Sequence, residues 1–165
     1  MGNEKRRQRS RKQMLIAAIV VVGLAVVGAW ALSDTGLTRI HFELPNGAKT
    51  SELKVEVVAT ERSRQKGLMY VKEMPREQGM LFIFPQEQIN SFWMRNTYIS
   101  LDMIFIDQNK KVIGLIHEVP ILSDKQRSIE KPSTYVLEVL AGVAKELGVV
   151  EGAVMKVSGK LPKGS

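Results

Sequence analysis

Residues 101–106 read LDMIFI and residues 134–140 read TYVLEVL. Both are short runs of β-branched, aromatic and aliphatic side chains bounded by turn or loop residues, which is how core strands read. A single carboxylate interrupts each run. Successive strand side chains point to opposite faces, so Asp102 shares its face with Ile104 and Ile106, and Glu138 shares its face with Val136 and Leu140.

The same period of two extends outward through the chain. Ile40, Phe42 and Leu44 alternate with polar neighbours, as do Leu53, Val55 and Val57. Runs at 79–84 (GMLFIF, ended by Pro85), 89–94, 112–119 (VIGLIHEV) and 153–157 add further strands. Thr60 caps a short helix, ERSRQK, that Gly67 stops, and residues 141–147 form a second, followed by Gly148. Seven or eight short strands with two small helices predict a mainly-β sandwich or barrel.

The chain has 165 residues, 44% of them hydrophobic, with no cysteine and a formal charge of +7. Without cysteine there is no disulfide framework, thiolate metal site or thiol nucleophile. The charge is not spread evenly. Lys5, Arg6, Arg7, Arg9, Arg11 and Lys12 against Glu4 leave the other residues with 18 basic and 16 acidic side chains, a sum of only +2. That scattered remainder gives no footprint for nucleic acid.

Behind the basic head, residues 14–32 (MLIAAIVVVGLAVVGAWAL) carry no charge. As a helix at 1.5 Å per residue they are about 28 Å long, matching a hydrocarbon core of roughly 30 Å. The basic side stays cytoplasmic by the positive-inside rule. This predicts a basic cytoplasmic head at 1–13, a transmembrane signal anchor at 14–32 and a linker at 33–38. An extracytoplasmic β domain follows at 39–160, and a tail at 161–165. The alternative is a cleaved signal peptide, with Ala29-Trp30-Ala31 as an A-x-A-like site near Ala31. The apolar run exceeds the roughly 7–15 residues of a signal core, which favours the anchor.

Several motifs occur in order: Gly67-Leu68-Met69, Gly79-Met80-Leu81-Phe82, Phe92-Trp93-Met94 with Asn96-Thr97, Leu101-Asp102 with Phe105-Ile106-Asp107, and Leu137-Glu138-Val139 with Ala141-Gly142. In these the chain resembles the family called domain of unknown function 192, also known as uncharacterised protein family 0127, over about residues 50–158. The resemblance implies an exported or membrane-anchored β domain with a jelly-roll-like sandwich. It carries over no activity, cofactor or catalytic residue.

A carboxylate on an apolar strand face is costly to bury unless it is hydrogen-bonded or paired. Asp102 and Glu138 are therefore the candidate acid/base pair, which flanking a cleft would suit a hydrolase of envelope glycans. The structural alternative has each accepting hydrogen bonds from loop backbone, or pairing with Arg95. Between two strands, Trp93, Arg95, Asn96, Thr97 and Tyr98 form a candidate ligand loop: aromatic faces stack on sugars or planar ligands, and Arg and Asn orient them. Asn-Thr is equally ordinary turn chemistry. His41 and His117 lack metal-ligand spacing, and the methionines read as core filler. Phosphate-binding glycine loops are absent from the sequence, and no cofactor or metal is expected.

The leading expectation is a non-enzymatic envelope module, held in the membrane by residues 14–32, that binds a glycan, a small ligand or an envelope protein. Alkaline carbonate extraction should leave the chain in the membrane pellet with its N-terminus at Met1. A soluble exported chain beginning near Leu32 would replace the anchor with the cleaved signal.

Overall fold

In a computed structural model, residues 36–165 are described. The expected head at 1–13, the span at 14–32 and the cleavage site near Ala31 lie outside the described residues. Among the described residues no helix is long and apolar enough to cross a membrane.

Seven strands and two short helices follow the chain in the order β1 (Thr38–Glu43), β2 (Leu53–Val58), α1 (Glu61–Lys66), β3 (Gln78–Ile89), β4 (Leu101–Ile106), β5 (Val112–Val119), β6 (Pro132–Leu140), α2 (Val143–Glu146) and β7 (Val154–Ser158). The strands join in one mixed sheet, ordered β5-β4-β6-β3-β2-β1-β7. All neighbours are antiparallel except β2 and β3, which run parallel. A parallel pair needs a crossover connection, and α1 lies in it. Thr60 starts that helix with a capping box: its Oγ1 accepts from Ser63 N at 3.2 Å, and its own N–H donates to Ser63 Oγ at 3.1 Å.

The sheet curls until its two edge strands meet at one end. Val112 N donates to Ala153 O and Gly152 N to Val112 O, both at 2.8 Å, and Lys111 bridges Val154. The result is a half-barrel. The mainly-β class and the two helices stand as read from sequence, but the two separate layers of a jelly-roll-like sandwich do not form. The parallel β2–β3 pair and the continuous ladder through β6 make one sheet whose curl replaces the second layer.

Both faces of this sheet are covered. One cluster gathers Ile40, Phe42, Val55, Leu81, Ile104 and Leu137 inside the curl, and α2 packs there through Val143 and Ala144. The outer cluster holds Met80, Phe82, Met103 and Phe105 under Leu68, Met94 and Ile99 from the connecting segments. Every residue of β4 is buried in consequence. Met80, Met94, Met103 and Met155 fill gaps in these clusters, as adaptable thioethers do.

Two boundaries differ from the sequence expectation. Residues 89–94 are not a separate strand, because β3 runs through Pro85 to Ile89. Its register against β6 slips between Ile83 and Gln88, and a slip is where a strand tolerates proline. Beyond Ile89, Asn90 turns inward and donates to Ser133 O at 2.8 Å and Ser133 Oγ at 2.9 Å, while Phe92 keeps only a single bridge to Arg127. β1 begins at Thr38, the last residue of the span read as linker. The tail folds back, with Ser165 N donating to Ala59 O at 2.8 Å.

Asp102 ties three elements together. Between the Leu101–Val119 and Met103–Ile116 pairs, it faces two residues of β5, a β-bulge that leaves Glu118 at φ 51°. Its Oδ1 accepts from Glu118 N at 2.9 Å and its Oδ2 from Ala144 N, in the first turn of α2, at 3.0 Å. Asp102→Ala leaves both amides without a partner and should cost about 3 kcal/mol. Asp102→Asn, which keeps one acceptor oxygen, should cost less. Denaturant midpoints measure the order, and an Asp102→Ala chain as stable as the native one would remove Asp102 from this role.

Candidate functional site

On the outer face, α1, the second half of β3 and residues 91–97 enclose a pocket of about 490 Å³. Four aromatic residues, Phe82, Phe84, Phe92 and Trp93, stand in its walls. Phe92 sits at the centre of edge-to-face contacts, 5.1 Å from Phe82, 6.2 Å from Phe84 and 6.1 Å from Phe105. Trp93, 41% exposed, forms part of the mouth. Gly67 leaves α1 at φ 46°, where a Cβ would stand 3.3 Å from the Phe82 ring, so glycine lets the chain turn over the ring.

The polar groups around this pocket differ in how well they are satisfied. The Arg64 guanidinium lies 5.1 Å from the Phe84 ring centre and donates to Ala59 O, Ile83 O and Ser165 O at 2.6, 2.9 and 2.8 Å. Gln65 donates to Glu61 at 3.1 Å, Gln88 to Asn90 at 3.1 Å and Ser91 to Gln126 at 3.0 Å. Glu138 is the exception. It lines the pocket with 4% of its surface exposed, and among the described residues its carboxyl has no hydrogen-bond or ionic partner. Burial alone pushes that carboxyl up to about 8 from 4.5.

The two acids singled out from sequence do not face one cleft. Asp102 pairs across the ladder with Val139 and Met103 with Glu138, so the two carboxylates leave adjacent strands on opposite faces of the sheet. Glu138 opens on the aromatic pocket; Asp102 lies on the inner face, holding backbone amides. Arg95 approaches neither acid and instead bonds Asp124 at 2.7 Å. Near Asp102 a smaller hollow of about 240 Å³ is lined by His117, Glu118 and Lys145, among others. His117 Nδ1 stands 3.7 Å from Asp102 Oδ1. The bulge turns His117 toward Asp102, a juxtaposition that strict alternation hides.

Of the expected ligand loop, Trp93 and Thr97 line the pocket, with Thr97 Oγ1 donating to Arg95 O at 3.3 Å. The other three lie outside its lining. Arg95 stacks on Trp93, 4.5 Å from the ring centre. Asn96 takes φ 53° and donates to the Tyr70 hydroxyl at 3.1 Å, and Tyr98 is exposed. Sequence reasoning missed Phe82, Phe84, Phe92 and Arg64 as site residues. They come from elements far apart in the chain, and no local pattern marks them as neighbours.

The family model of DUF192, described as "Uncharacterized ACR", matches residues 43–157. Among solved structures, a candidate transcription regulator from Sinorhizobium meliloti 1021 is similar at 33% identity and TM-score 0.70, covering 73% of this chain and 93% of that one. A protein of unknown function from Novosphingobium aromaticivorans DSM 12444 is similar at 28% identity and TM-score 0.68, covering 73% and 84%. No curated protein matches the chain.

The raised Glu138 carboxyl links folding to pH. Its folded value lies above the unfolded one, so its contribution to stability is complete below pH 4.5 and is lost as pH rises to about 8. Glu138→Gln, which cannot ionise, should therefore gain on the native chain by about 1 kcal/mol per pH unit inside that window and by nothing further above it. Urea midpoints of both chains across pH measure the difference; parallel curves would mean that Glu138 titrates normally.

Proposed function

This chain belongs to the DUF192 family, and we propose that it is a non-enzymatic binding domain whose pocket beside α1 takes a small organic ligand. One observation carries the reading: a buried carboxyl without a partner lines a pocket with aromatic walls. Burying such a group costs free energy that nothing else in the described protein recovers. A ligand that bonds it recovers part of that cost. Apolar walls with a few convergent polar groups are the usual build of a small-molecule site, and its volume falls in the ordinary range of roughly 300–1,000 Å³.

In this proposal the domain is presented outside the cytoplasm by residues 14–32. The uncharged run of nineteen residues and the six basic residues before it support that placement. A glycan hydrolase built on Asp102 and Glu138 as paired acids lacks support, because the sheet stands between the two carboxylates.

The test uses the full-length chain with Trp30→Phe, which leaves Trp93 as its one indole. A library of small organic molecules is screened by thermal shift, and hits are titrated by Trp93 emission. Ligands of the pocket should raise the melting temperature and move the emission. Ser91→Phe, which places a ring at the pocket lining, should weaken them at least tenfold without lowering the melting temperature of the free protein. Hits indifferent to Ser91→Phe, or no hits at all, would overturn the proposal.

A further inference from the structure

We propose that the occupant of this pocket is an organic ammonium ion, a primary or secondary amine on an aromatic or alkyl body, whose N–H groups bind the Glu138 carboxylate. The inference rests on the pocket being a binding site, as proposed above, and names the class of ligand it takes.

The argument begins with which charges are left over. The charged residues lining the pocket besides Glu138 are Glu61, Arg64 and Lys66, all on or at the end of α1. Arg64 is engaged by three carbonyl oxygens and Glu61 accepts from Gln65, so neither calls for a ligand. Lys66 is exposed, so solvent screens it, and Glu61 on the same helix offsets its sign. Of the charged residues that line the pocket, Glu138 alone is buried and has no hydrogen-bond or ionic partner among the described residues.

The lining then selects among ligands. An anion accepts the O–H of the neutral acid but is repelled once that group ionises. A neutral hydroxyl or carbonyl offers a single hydrogen bond and no charge. An ammonium offers two or three N–H donors with a full positive charge, and charge-assisted hydrogen bonds are roughly twice as strong as neutral ones. With no backbone amide of the described residues directed at Glu138, a charged donor offsets more of the cost of its ionised form than a neutral one does. Rings line the walls, and an aromatic ring attracts a cation through its quadrupole. Arg64 already stands over Phe84 and Arg95 over Trp93, which leaves Phe82 and Phe92 as the lining rings without a cation among the described residues.

The proton balance follows from the burial of Glu138. Near pH 7 the empty site holds a neutral carboxylic acid, since its proton leaves only at about 8. An ammonium ion that binds converts it to a carboxylate, and the displaced proton passes to solvent. The ammonium keeps its own protons, and no covalent bond other than that O–H breaks or forms. Affinity for ammonium should rise about fifty-fold from pH 6 to pH 8 and level off above. A ligand that accepts a hydrogen bond from the neutral acid would weaken over the same range.

Calorimetric titration of the full-length chain distinguishes the cases. The probes are butylammonium, cyclohexylammonium and 2-phenylethylammonium, each with its matched alcohol and carboxylate, in two buffers of different ionisation heat. At least one ammonium should bind more than tenfold tighter than its alcohol, with close to one proton released at pH 6.5 and almost none at pH 9. Glu138→Gln should erase both the preference and the proton release while leaving the melting temperature at or above that of the native chain. Alcohols that bind as tightly as the amines, blocked by Ser91→Phe, would overturn the ammonium class and leave the pocket reading standing. If no ammonium binds, the class is overturned whatever the ligand screen returns. If in addition no screened ligand responds to Ser91→Phe, both readings fall.

Discussion

The sheet is covered on both faces, and the other features follow from that constraint. A one-sided sheet tolerates a polar side chain at every second position, because water receives it. In β4 and along most of β6 no such outlet exists, so any acid placed there must find its partner inside the protein or remain without one. The curl that joins β5 to β7 buries the inner face, and Leu68, Met74, Met94 and Ile99 from the connecting segments cover the outer one.

Asp102 and Glu138 meet this constraint in opposite ways, although they stand one residue apart across the β4–β6 ladder. Asp102 points inward, where the bulge of β5 and the first turn of α2 each present an unpaired N–H. Both of its oxygens are used, and the carboxylate fixes the approach of three elements. Glu138 points outward between Met80 and Met103 of the neighbouring strands, into the pocket lined by Phe82, Phe84 and Phe92, and receives no donor among the described residues. The same residue chemistry yields a structural anchor on one side of the sheet and a carboxyl without a donor among the described residues on the other. What separates them is the supply of backbone donors.

Much of the fold was legible. Alternating and short apolar runs located all seven strands, with one false strand at 89–94; the Thr60 cap and Gly67 bounded α1, and the interrupting carboxylates in β4 and β6 marked the two most consequential polar positions. The site was legible only in part. Trp93 and Thr97 belong to the pocket, whereas Arg95, Asn96 and Tyr98 turn to Asp124, Tyr70 and solvent. A loop sequence lists which groups are near one another along the chain but not which way each one faces. Pro85 misled for a related reason: a proline ends a strand in general, yet a register slip accommodates it and carries β3 onward to Ile89.

By itself the sequence determined the mainly-β class, the strand positions, the family motifs and the concentration of charge in the first thirteen residues. These rest on local alternation and local composition, which a linear chain records directly. Only the tertiary structure decided that the strands form one curled sheet, that Asp102 and Glu138 lie on opposite faces, that His117 is turned toward Asp102 by a bulge, and that Phe82, Phe84, Phe92 and Trp93 enclose a single pocket. Each of these depends on register and crossover between segments distant in the chain. A one-residue shift in pairing reverses which face a side chain occupies, and no local pattern fixes it.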